Sequence, residues 1–348
     1  MRRLSAAAGL SAACLAAVLA AATACSSTPA ATSTPSSTVI NLGLPTSVTS
    51  FANADVAVAQ AQGYFKAEGL TVNVKNLASG VPVVQGVVGG SLDIGASSFE
   101  PVANADAQGG DVVIIGSYTD RLTVSMVTPD SIHSPAGLRG KRLGIQTVGA
   151  FREVMTRMIL AGAGLTPADA TYVPVASTGY ISALLQGSIQ SAILQQEQVI
   201  SVLQKDPKLH VLVNLYQARP YYFYGTYVVS RPWLAQHQSV AERFLTAIVR
   251  AHRFMYLHKA ATVRIVAAAT GFSQPVISQA YAVLLGQEGV FPVNEGLEPS
   301  RITQTLQTMQ KYKVLTGRAP AESTLVDPAP ITAVIHKLGT WTGDPRWH

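Results

Sequence analysis

The sequence predicts an α/β fold in which helices cover mainly parallel sheets. Short apolar runs that are typical of strands alternate regularly with helical segments from Val39 onward, and this alternation favours parallel pairing in a layered domain. With 348 residues the chain is long enough for two ordinary domains, each able to bury a core. Hydrophobic residues make up 48% and charged residues 13%, which indicates a globular body rather than a multi-span membrane protein.

The first 24 residues have the composition of an export signal. Arg2 and Arg3 supply a positive segment, and residues 10–22 form an apolar stretch that is short for a membrane span. Ala22-Thr23-Ala24-Cys25 resembles a bacterial lipobox, in which the peptide is cut before the cysteine and the cysteine carries a lipid. We therefore expect a lipoprotein signal peptide over 1–24 and lipidation at Cys25. An ordinary secretory signal cleaved nearby is the alternative.

Residues 25–38 are predicted to be a flexible tether, because Ser, Thr, Pro and Ala fill 26–38 and have no core to bury. The two cysteines are Cys14, in the predicted signal, and Cys25. The expected folded part therefore has no thiol for a disulfide, for catalysis or for a metal site. The formal net charge of +6 is not gathered into a run of Lys or Arg, so nucleic acid is not expected as a partner.

The predicted elements follow one another without a long interruption. Residues 39–44 form the first strand, and a helix over about 52–62 ends at Gly63, which suits the left-handed position after a helix. Further strands are expected over 71–75, 92–96, 112–115, 122–127, 142–145, 172–175, 190–194, 211–215 and 226–229. Helices are expected in most of the segments between these strands. After residue 230 the chain is predicted to be helical to about Leu315.

The stretch 89–101 is the centre of the functional prediction. Leu92 to Ala96 reads as a buried strand, and the small residues up to Ser98 read as a loop that leads into a helix beginning near Glu100. A strand end joined to a helix N-terminus is where an open α/β sheet binds small ligands, since free N–H groups meet the positive end of the helix dipole there.

A series of short motifs occurs in a fixed order between residues 39 and 192. They are Gly63-Tyr64-Phe65, Glu68-Gly69-Leu70, Ser79-Gly80, Asp93-Ile94-Gly95, Ala107-Gln108-Gly109, Leu138-Arg139-Gly140-Lys141 and Ala163-Gly164-Leu165. Together they resemble the substrate-binding proteins of bacterial ABC importers, in particular the nitrate, taurine and aliphatic-sulfonate binders, whose fold is shared by thiamine-pyrimidine binders. The chain departs from that pattern at Gln190, where Asp is usual, and at Gln198, where Pro is usual.

The resemblance implies a two-lobed periplasmic-binding-protein fold of type II, with the ligand in a cleft between lobes. Lobe 1 would comprise 39–120 and 215–348, and lobe 2 would comprise 121–214. Strands near 117–121 and 214–217 would form the hinge. The resemblance also implies a monomer that hands a small molecule to separate permease and ATPase subunits, without a cofactor or metal, while the lipid holds it on the extracytoplasmic face of the membrane.

Strand-to-helix loops of both lobes supply the candidate ligand-binding residues. From lobe 1 they are Pro45, Ser50, Phe51, Ser79, Ser97, Ser98, Phe99, Glu100 and Tyr118. From lobe 2 they are Thr147, Gly149, Ala150, Phe151, Thr178, Gly179 and Glu197. One of Tyr221, Tyr222 and Tyr224 is expected to join them, and we nominate Tyr222. A serine in such a loop also serves as a helix N-cap, which is the alternative for the serines in this set.

Charged residues beside these loops point to two ligand classes. We expect helix N-termini, rather than a salt bridge, to hold a small anion of the sulfonate or nitrate type. Glu100 would repel an anion if it faced the cleft, and would then suit an amine, an amide or a pyrimidine; as a solvated residue in a first helical turn it would only favour the helix dipole. Arg152 lies just inside a helix that an anion could cap, but a position on the surface is the simpler expectation.

Catalytic motifs are absent from the sequence. There is no Gly-x-Ser-x-Gly, His-Glu-x-x-His or Gly-x-x-x-x-Gly-Lys pattern, and His252 and His258 are six residues apart on one predicted helix, so they do not share a face. The fold also occurs in an enzyme that makes the thiamine pyrimidine and that carries a cysteine-rich motif. Because the predicted folded part lacks cysteine, we expect a binding protein rather than an enzyme.

Overall fold

The computed structural model of the chain describes residues 37–343. The predicted signal peptide, Cys25 and the tether up to residue 36 lie outside these residues. The part of the chain from Ser37 onward is one compact unit. Its alternation of strands and helices confirms the predicted α/β class.

Ten strands lie within the described residues. They are β1 Thr38–Leu44, β2 Leu70–Asn76, β3 Ile94–Ser98, β4 Val112–Thr119, β5 Val124–Pro129, β6 Arg142–Ile145, β7 Thr171–Pro174, β8 Ser191–Gln195, β9 Leu209–Asn214 and β10 Gly225–Ser230. The α-helices are α1 Ala54–Ala61, α2 Tyr64–Ala67, α3 Gly80–Val88, α4 Phe99–Ala107, α5 Phe151–Gly162, α6 Tyr180–Leu185, α7 Gln196–Lys205, α8 Leu215–Ala218, α9 Arg231–Leu257, α10 Lys259–Thr270, α11 Gln274–Tyr281, α12 Pro299–Lys311, α13 Glu322–Leu325 and α14 Ala329–Leu338. A 3-10 turn, Phe51–Asn53, precedes α1.

The strands form two five-stranded sheets of matching design. The order is β2-β1-β3-β10-β4 in lobe 1 and β7-β6-β8-β5-β9 in lobe 2. In each sheet one strand, β10 or β5, pairs antiparallel with both neighbours, and the other four run in one direction. That reversed strand is the first one after the chain crosses into the lobe. It must run away from the crossing, whereas the other strands run toward it.

Buried apolar side chains hold helices against these sheets. In lobe 1, β1 and β3 bury Ile40, Leu42 and Ile94 at 0–1% exposure. Gly63 ends α1 with φ at 69°, so the predicted left-handed glycine lies where expected. Among the helices of residues 37–343, none has the length and apolarity that a membrane crossing would require.

Near the boundary between the lobes, the structure differs from the prediction at the end of β3 and at both crossings. Ser97 and Ser98 belong to β3 rather than to a loop, because they pair with Thr226 and Gly225 of β10, and α4 starts directly at Phe99. At the second crossing between lobes, residues 215–218 form α8 rather than a hinge strand. At the first crossing, β4 ends at Thr119 and residues 120–123 carry the chain to β5 without a strand.

Candidate functional site

Helix N-termini from both lobes follow strand ends at the boundary between the sheets. In lobe 1 these are the turn after Ser50, α3 after Ser79 and α4 after Ser98, and in lobe 2 they are α5 after Ala150, α6 after Gly179 and α7 after Gln195. The hydroxyls of Ser50, Ser79 and Ser98 make no capping hydrogen bond to their own helices. The structure therefore places helix N-termini where the sequence predicts ligand binding. Ser79 Oγ has no hydrogen-bond partner within residues 37–343, whereas Ser50 Oγ donates to Asn53 Oδ1 at 3.3 Å.

A small cavity lies at this boundary. Its lining comprises Pro45, Thr46, Asn53, Gly80, Ser98 and Tyr118 from lobe 1, Gln146, Phe151, Arg152 and Gln195 from lobe 2, and Tyr224 from the second crossing. The space open to the centre of a water-sized sphere is about 20 Å³. That is room for about one water molecule, so the two lobes are closed on each other.

Several contacts join the lobes around the cavity. Across the boundary, Ser47 N–H donates to Ser177 Oγ at 3.3 Å and Gln146 Nε2 donates to Ala78 O at 3.0 Å. The rings of Phe151 and Tyr224 lie 4.3 Å apart between centroids. These contacts would be lost if the lobes separated, so they belong to the closed form.

Glu197 connects the two lobes through a helix N-terminus. It lies in the first turn of α7, is 1% exposed, and its Oε1 accepts a hydrogen bond from the Phe51 N–H at 3.2 Å. Burial raises its pKa, and hydrogen bonds from its own N–H and from that of Phe51, with the charge of Arg152, offset part of the rise. Its Oε2 has no hydrogen-bond partner within residues 37–343. The carboxyl group of Glu197 thus binds the N–H group at the start of the 3-10 turn that precedes α1.

Glu100 is fully buried next to the cavity and does not line it. Its Oε1 accepts a hydrogen bond from the hydroxyl of Tyr222 at 2.7 Å, and its Oε2 has no partner in the described part of the chain. Burial raises the pKa of Glu100 to about 7, although hydrogen bonds from Tyr222, its own backbone and Ser98 lower it in part. The solvated position considered from the sequence is therefore wrong for Glu100.

Arg152 is 2% exposed and lines the cavity, so the expectation of a surface position is wrong. Its Nη1 donates to the carbonyl of Ile193 and its Nη2 to Gln198 Oε1 at 3.3 Å. The guanidinium lies over the ring of Tyr180, 4.6 Å from the centroid. Because α5 is covered by both lobes, its first turn is buried and this charge is fixed beside the cavity.

The candidates from the sequence take different places. Pro45, Ser98, Tyr118 and Phe151 line the cavity. Ser50, Phe51, Ser79, Ala150 and Glu197 are buried at the surrounding helix starts without lining it, as are Phe99 and Glu100. Ser97 is turned away, with its hydroxyl bonded to Gly80 O and Ser98 O. Gly149 lines a separate groove, Gly179 is half-buried, and Thr147 and Thr178 are exposed.

Of the three tyrosines at the second crossing, Tyr224 lines the cavity, Tyr222 is bonded to Glu100, and Tyr221 is 59% exposed. Asn53 and Gln195 also line the cavity and were not among the ligand-binding residues predicted from the sequence. Asn53 is 1% exposed, and its Nδ2 has no partner within residues 37–343. Asn53 could have been identified from the sequence, because it is a polar residue at an otherwise apolar helix start. No group of three or more His, Cys, Asp or Glu residues in the described ranges is placed to hold a metal ion.

Comparison with known proteins gives one family match and one curated relative. The sequence model of the family described as NMT1/THI5 like matches residues 50–261. The 4-amino-5-hydroxymethyl-2-methylpyrimidine phosphate synthase of Candida albicans (strain WO-1) is 28% identical over 222 residues, which are 58% of this chain. The chain spans 63% of the length of that relative.

Solved structures share the fold at low sequence identity. The alkanesulfonate-binding protein SsuA from Xanthomonas axonopodis pv. citri, bound to MOPS, superposes with a TM-score of 0.67 at 16% identity, covering 83% of this chain and 98% of that one. The periplasmic nitrate-binding protein NrtA from Synechocystis PCC 6803 gives 0.69 at 14% identity, covering 87% and 89%. The architecture described above is therefore the periplasmic-binding-protein fold.

Proposed function

The chain belongs to the NMT1/THI5-like family, and from that premise we propose that it is the extracytoplasmic solute-binding protein of an ABC importer. It would capture a small anion of the sulfonate, taurine or nitrate type by closure of the two lobes, and deliver it to separate permease and ATPase subunits. A lipid on Cys25 would hold it as a monomer on the outer face of the cell membrane. The fold and its sulfonate- and nitrate-binding neighbours support the solute-binding role.

The observation that carries the anion assignment is the buried guanidinium of Arg152 in the cavity lining. The amide of Asn53, with its free Nδ2 donor, lines the same cavity, as do Gly80 and Ser98 at the starts of α3 and α4. These residues can donate hydrogen bonds, and the guanidinium and the helix N-termini carry positive charge. Glu100 and Glu197 lie nearby, but burial raises the pKa of each, which reduces their repulsion of an anion.

A thermal-shift screen of the purified protein tests the ligand class. Methanesulfonate, taurine and nitrate are expected to raise the Tm, because a ligand that binds only the folded state stabilises it by about 2.7 kcal/mol at a hundredfold excess over Kd. Arg152→Gln should weaken the binding of methanesulfonate by roughly 10- to 100-fold, the loss of a charge-assisted hydrogen bond, and Arg152→Lys should retain part of it. Arg139→Gln, at a 63% exposed side chain of lobe 2, is the control. Equal affinity in Arg152→Gln and Arg139→Gln would reject the assignment.

A second ligand class is a flat heterocycle such as a thiamine-precursor pyrimidine. It is favoured by three aromatic rings in the cavity lining, those of Tyr118, Phe151 and Tyr224, and by the unpartnered Oε2 of Glu100 beside them. The curated relative is named as the enzyme that makes a phosphorylated pyrimidine. Stabilisation by aminopyrimidines and not by anions in the same screen would select this class.

An exported enzyme of the same fold is the third candidate, and it rests on the similarity to that synthase. Incubation of the protein with any ligand that raises the Tm, followed by mass spectrometry, separates binding from turnover. Recovery of the unchanged compound is expected for a binding protein. Conversion to a new mass at a rate that scales with protein concentration would select the enzyme.

A further inference from the structure

A cluster of buried polar side chains inside lobe 1 lies outside the cavity lining. Asp55, Tyr227 and His252 are 0–1% exposed. The Oδ2 of Asp55 accepts a hydrogen bond from the Tyr227 hydroxyl at 2.7 Å and lies 3.1 Å from Nε2 of His252. The other ring nitrogen, Nδ1, lies 2.6 Å from the carbonyl oxygen of Pro292. Burial of these groups is costly unless they are paired.

The hydrogen-bond partners of the His252 imidazole determine how many protons His252 and Asp55 hold together. The carbonyl of Pro292 only accepts, so Nδ1 of His252 must carry a hydrogen. A hydrogen bond between Nε2 and Asp55 Oδ2 needs one further proton, whichever of the two atoms carries it. The Tyr227 hydroxyl supplies its own proton to the same oxygen. Asp55 and His252 together therefore have no net charge.

The position of Asp55 connects this pair to the cleft. Asp55 is the second residue of α1, and its Oδ1 accepts a hydrogen bond from the Val56 N–H at 2.9 Å. Two residues earlier, Asn53 lines the cavity, and Phe51 donates its N–H to Glu197. A carboxylate without a counter-charge at this point would oppose the positive end of the helix that faces the cleft.

We propose that His252 is a positioning residue for the ligand cleft. By sharing a proton with Asp55 it neutralises that carboxylate and fixes the first turn of α1, so that Asn53 and the N–H groups before α1 present a positive potential to the cleft. The effect on ligand binding rests on the proposed anion function. The effect on the potential does not, because Glu197 of α7 accepts the hydrogen bond of the Phe51 N–H just before α1 and its titration reports the potential there.

The titration of Glu197, followed by carboxyl carbon NMR in the full-length protein, tests the potential directly. His252→Gln removes the shared proton and leaves Asp55 uncompensated, so the midpoint of Glu197 should move up by about one pH unit. The double variant Asp55→Asn/His252→Gln has no charge at either position and should return the midpoint to the wild-type value. A purely structural role for His252 predicts that the double variant stays as perturbed as His252→Gln.

If His252→Gln does not fold, Asp55→Asn alone tests the proposal. The amide nitrogen can donate one hydrogen to Nε2 of a neutral His252 and the other to the hydroxyl oxygen of Tyr227, so the pair stays neutral and the Glu197 midpoint should not move. A fall of the midpoint in this variant would mean that Asp55 is uncompensated in the wild type, and would overturn the proposal.

The affinity for methanesulfonate, measured by calorimetry, completes the test. A loss of about tenfold is expected in His252→Gln, with recovery in the double variant. If the wild type binds no anion while the Glu197 midpoints behave as expected, the anion assignment fails and the positioning role of His252 stands. If the wild type binds methanesulfonate and none of the Glu197 midpoints moves, the positioning role fails and the anion assignment stands.

Discussion

Replacement of Glu100 by Gln should stabilise the protein at alkaline pH. The carboxyl of Glu100 is fully buried, one of its oxygens accepts a hydrogen bond from Tyr222, and the other has no partner within residues 37–343. The amide oxygen of Gln can accept the same hydrogen bond. The substitution therefore removes the cost of burying a negative charge and keeps the shape and the bond to Tyr222.

The magnitude follows from the pKa of Glu100, which burial raises from 4.5 to about 7. A raised pKa means that the folded state binds the proton more tightly than the unfolded state, so this carboxyl costs stability as the pH rises from about 4.5 to about 7. At about 1.4 kcal/mol per pH unit, the full cost is on the order of 3 kcal/mol above pH 8 and under 1 kcal/mol at pH 5. Glu100→Gln should recover that amount.

Urea unfolding of the wild type and Glu100→Gln at pH 5 and pH 8 measures the effect. The gain in unfolding free energy should be larger at pH 8 by about 2 kcal/mol. Glu295→Gln, at an exposed glutamate whose Oε1 accepts a hydrogen bond from Thr332 that Gln can also accept, is the control and should change stability by less than about 0.5 kcal/mol at either pH. The same gain at both pH values would refute a raised pKa for Glu100.

Two further predictions concern the cavity wall and the anchor. Gly225→Ala would place a methyl group 2.3 Å from the ring of Tyr118. It should lower the free energy of unfolding by about 1–3 kcal/mol, measured by urea unfolding, and weaken ligand binding, measured by calorimetry, because the ring must move. Unchanged stability and affinity would contradict the close packing of Gly225 against Tyr118. Cys25→Ser should move the protein from the membrane fraction to the soluble fraction or block its maturation, as seen by fractionation and intact mass; full membrane retention would reject the lipobox.

Much of the fold could be predicted because strands and helices alternate with clear local signals. Gly63 ends α1 as its conformational freedom predicts, and β6 has the predicted bounds of Arg142–Ile145. The end of β3 could not be predicted, because Ser97 and Ser98 have low strand preference and are held by β10, which lies more than 120 residues later in the chain. Pairing with a distant strand overrode the local preference there.

The loops of the site could be predicted, but the orientation of single side chains within them could not. Arg152 is buried because both lobes cover α5, and a sequence read one helix at a time gives no sign of that second surface. Tyr222 and Tyr224 are two residues apart in the same connection, and only the packing of the second crossing decides which lines the cavity. For Glu100 the sequence left two environments open, and the choice depended on Tyr222, which is 122 residues away.

The reversed strand of lobe 1 also constrains the order of folding during synthesis. β3 and β4 do not pair with each other, and the position between them is filled by β10, which is made only after all of lobe 2. Lobe 2 is one continuous segment from β5 to β9 and can close its sheet as soon as it is complete. Until β10 is made, β3 of lobe 1 has an open edge and β4 has no neighbour in the sheet. Pairing between strands that are distant in sequence is slow, and open strand edges favour wrong association between chains.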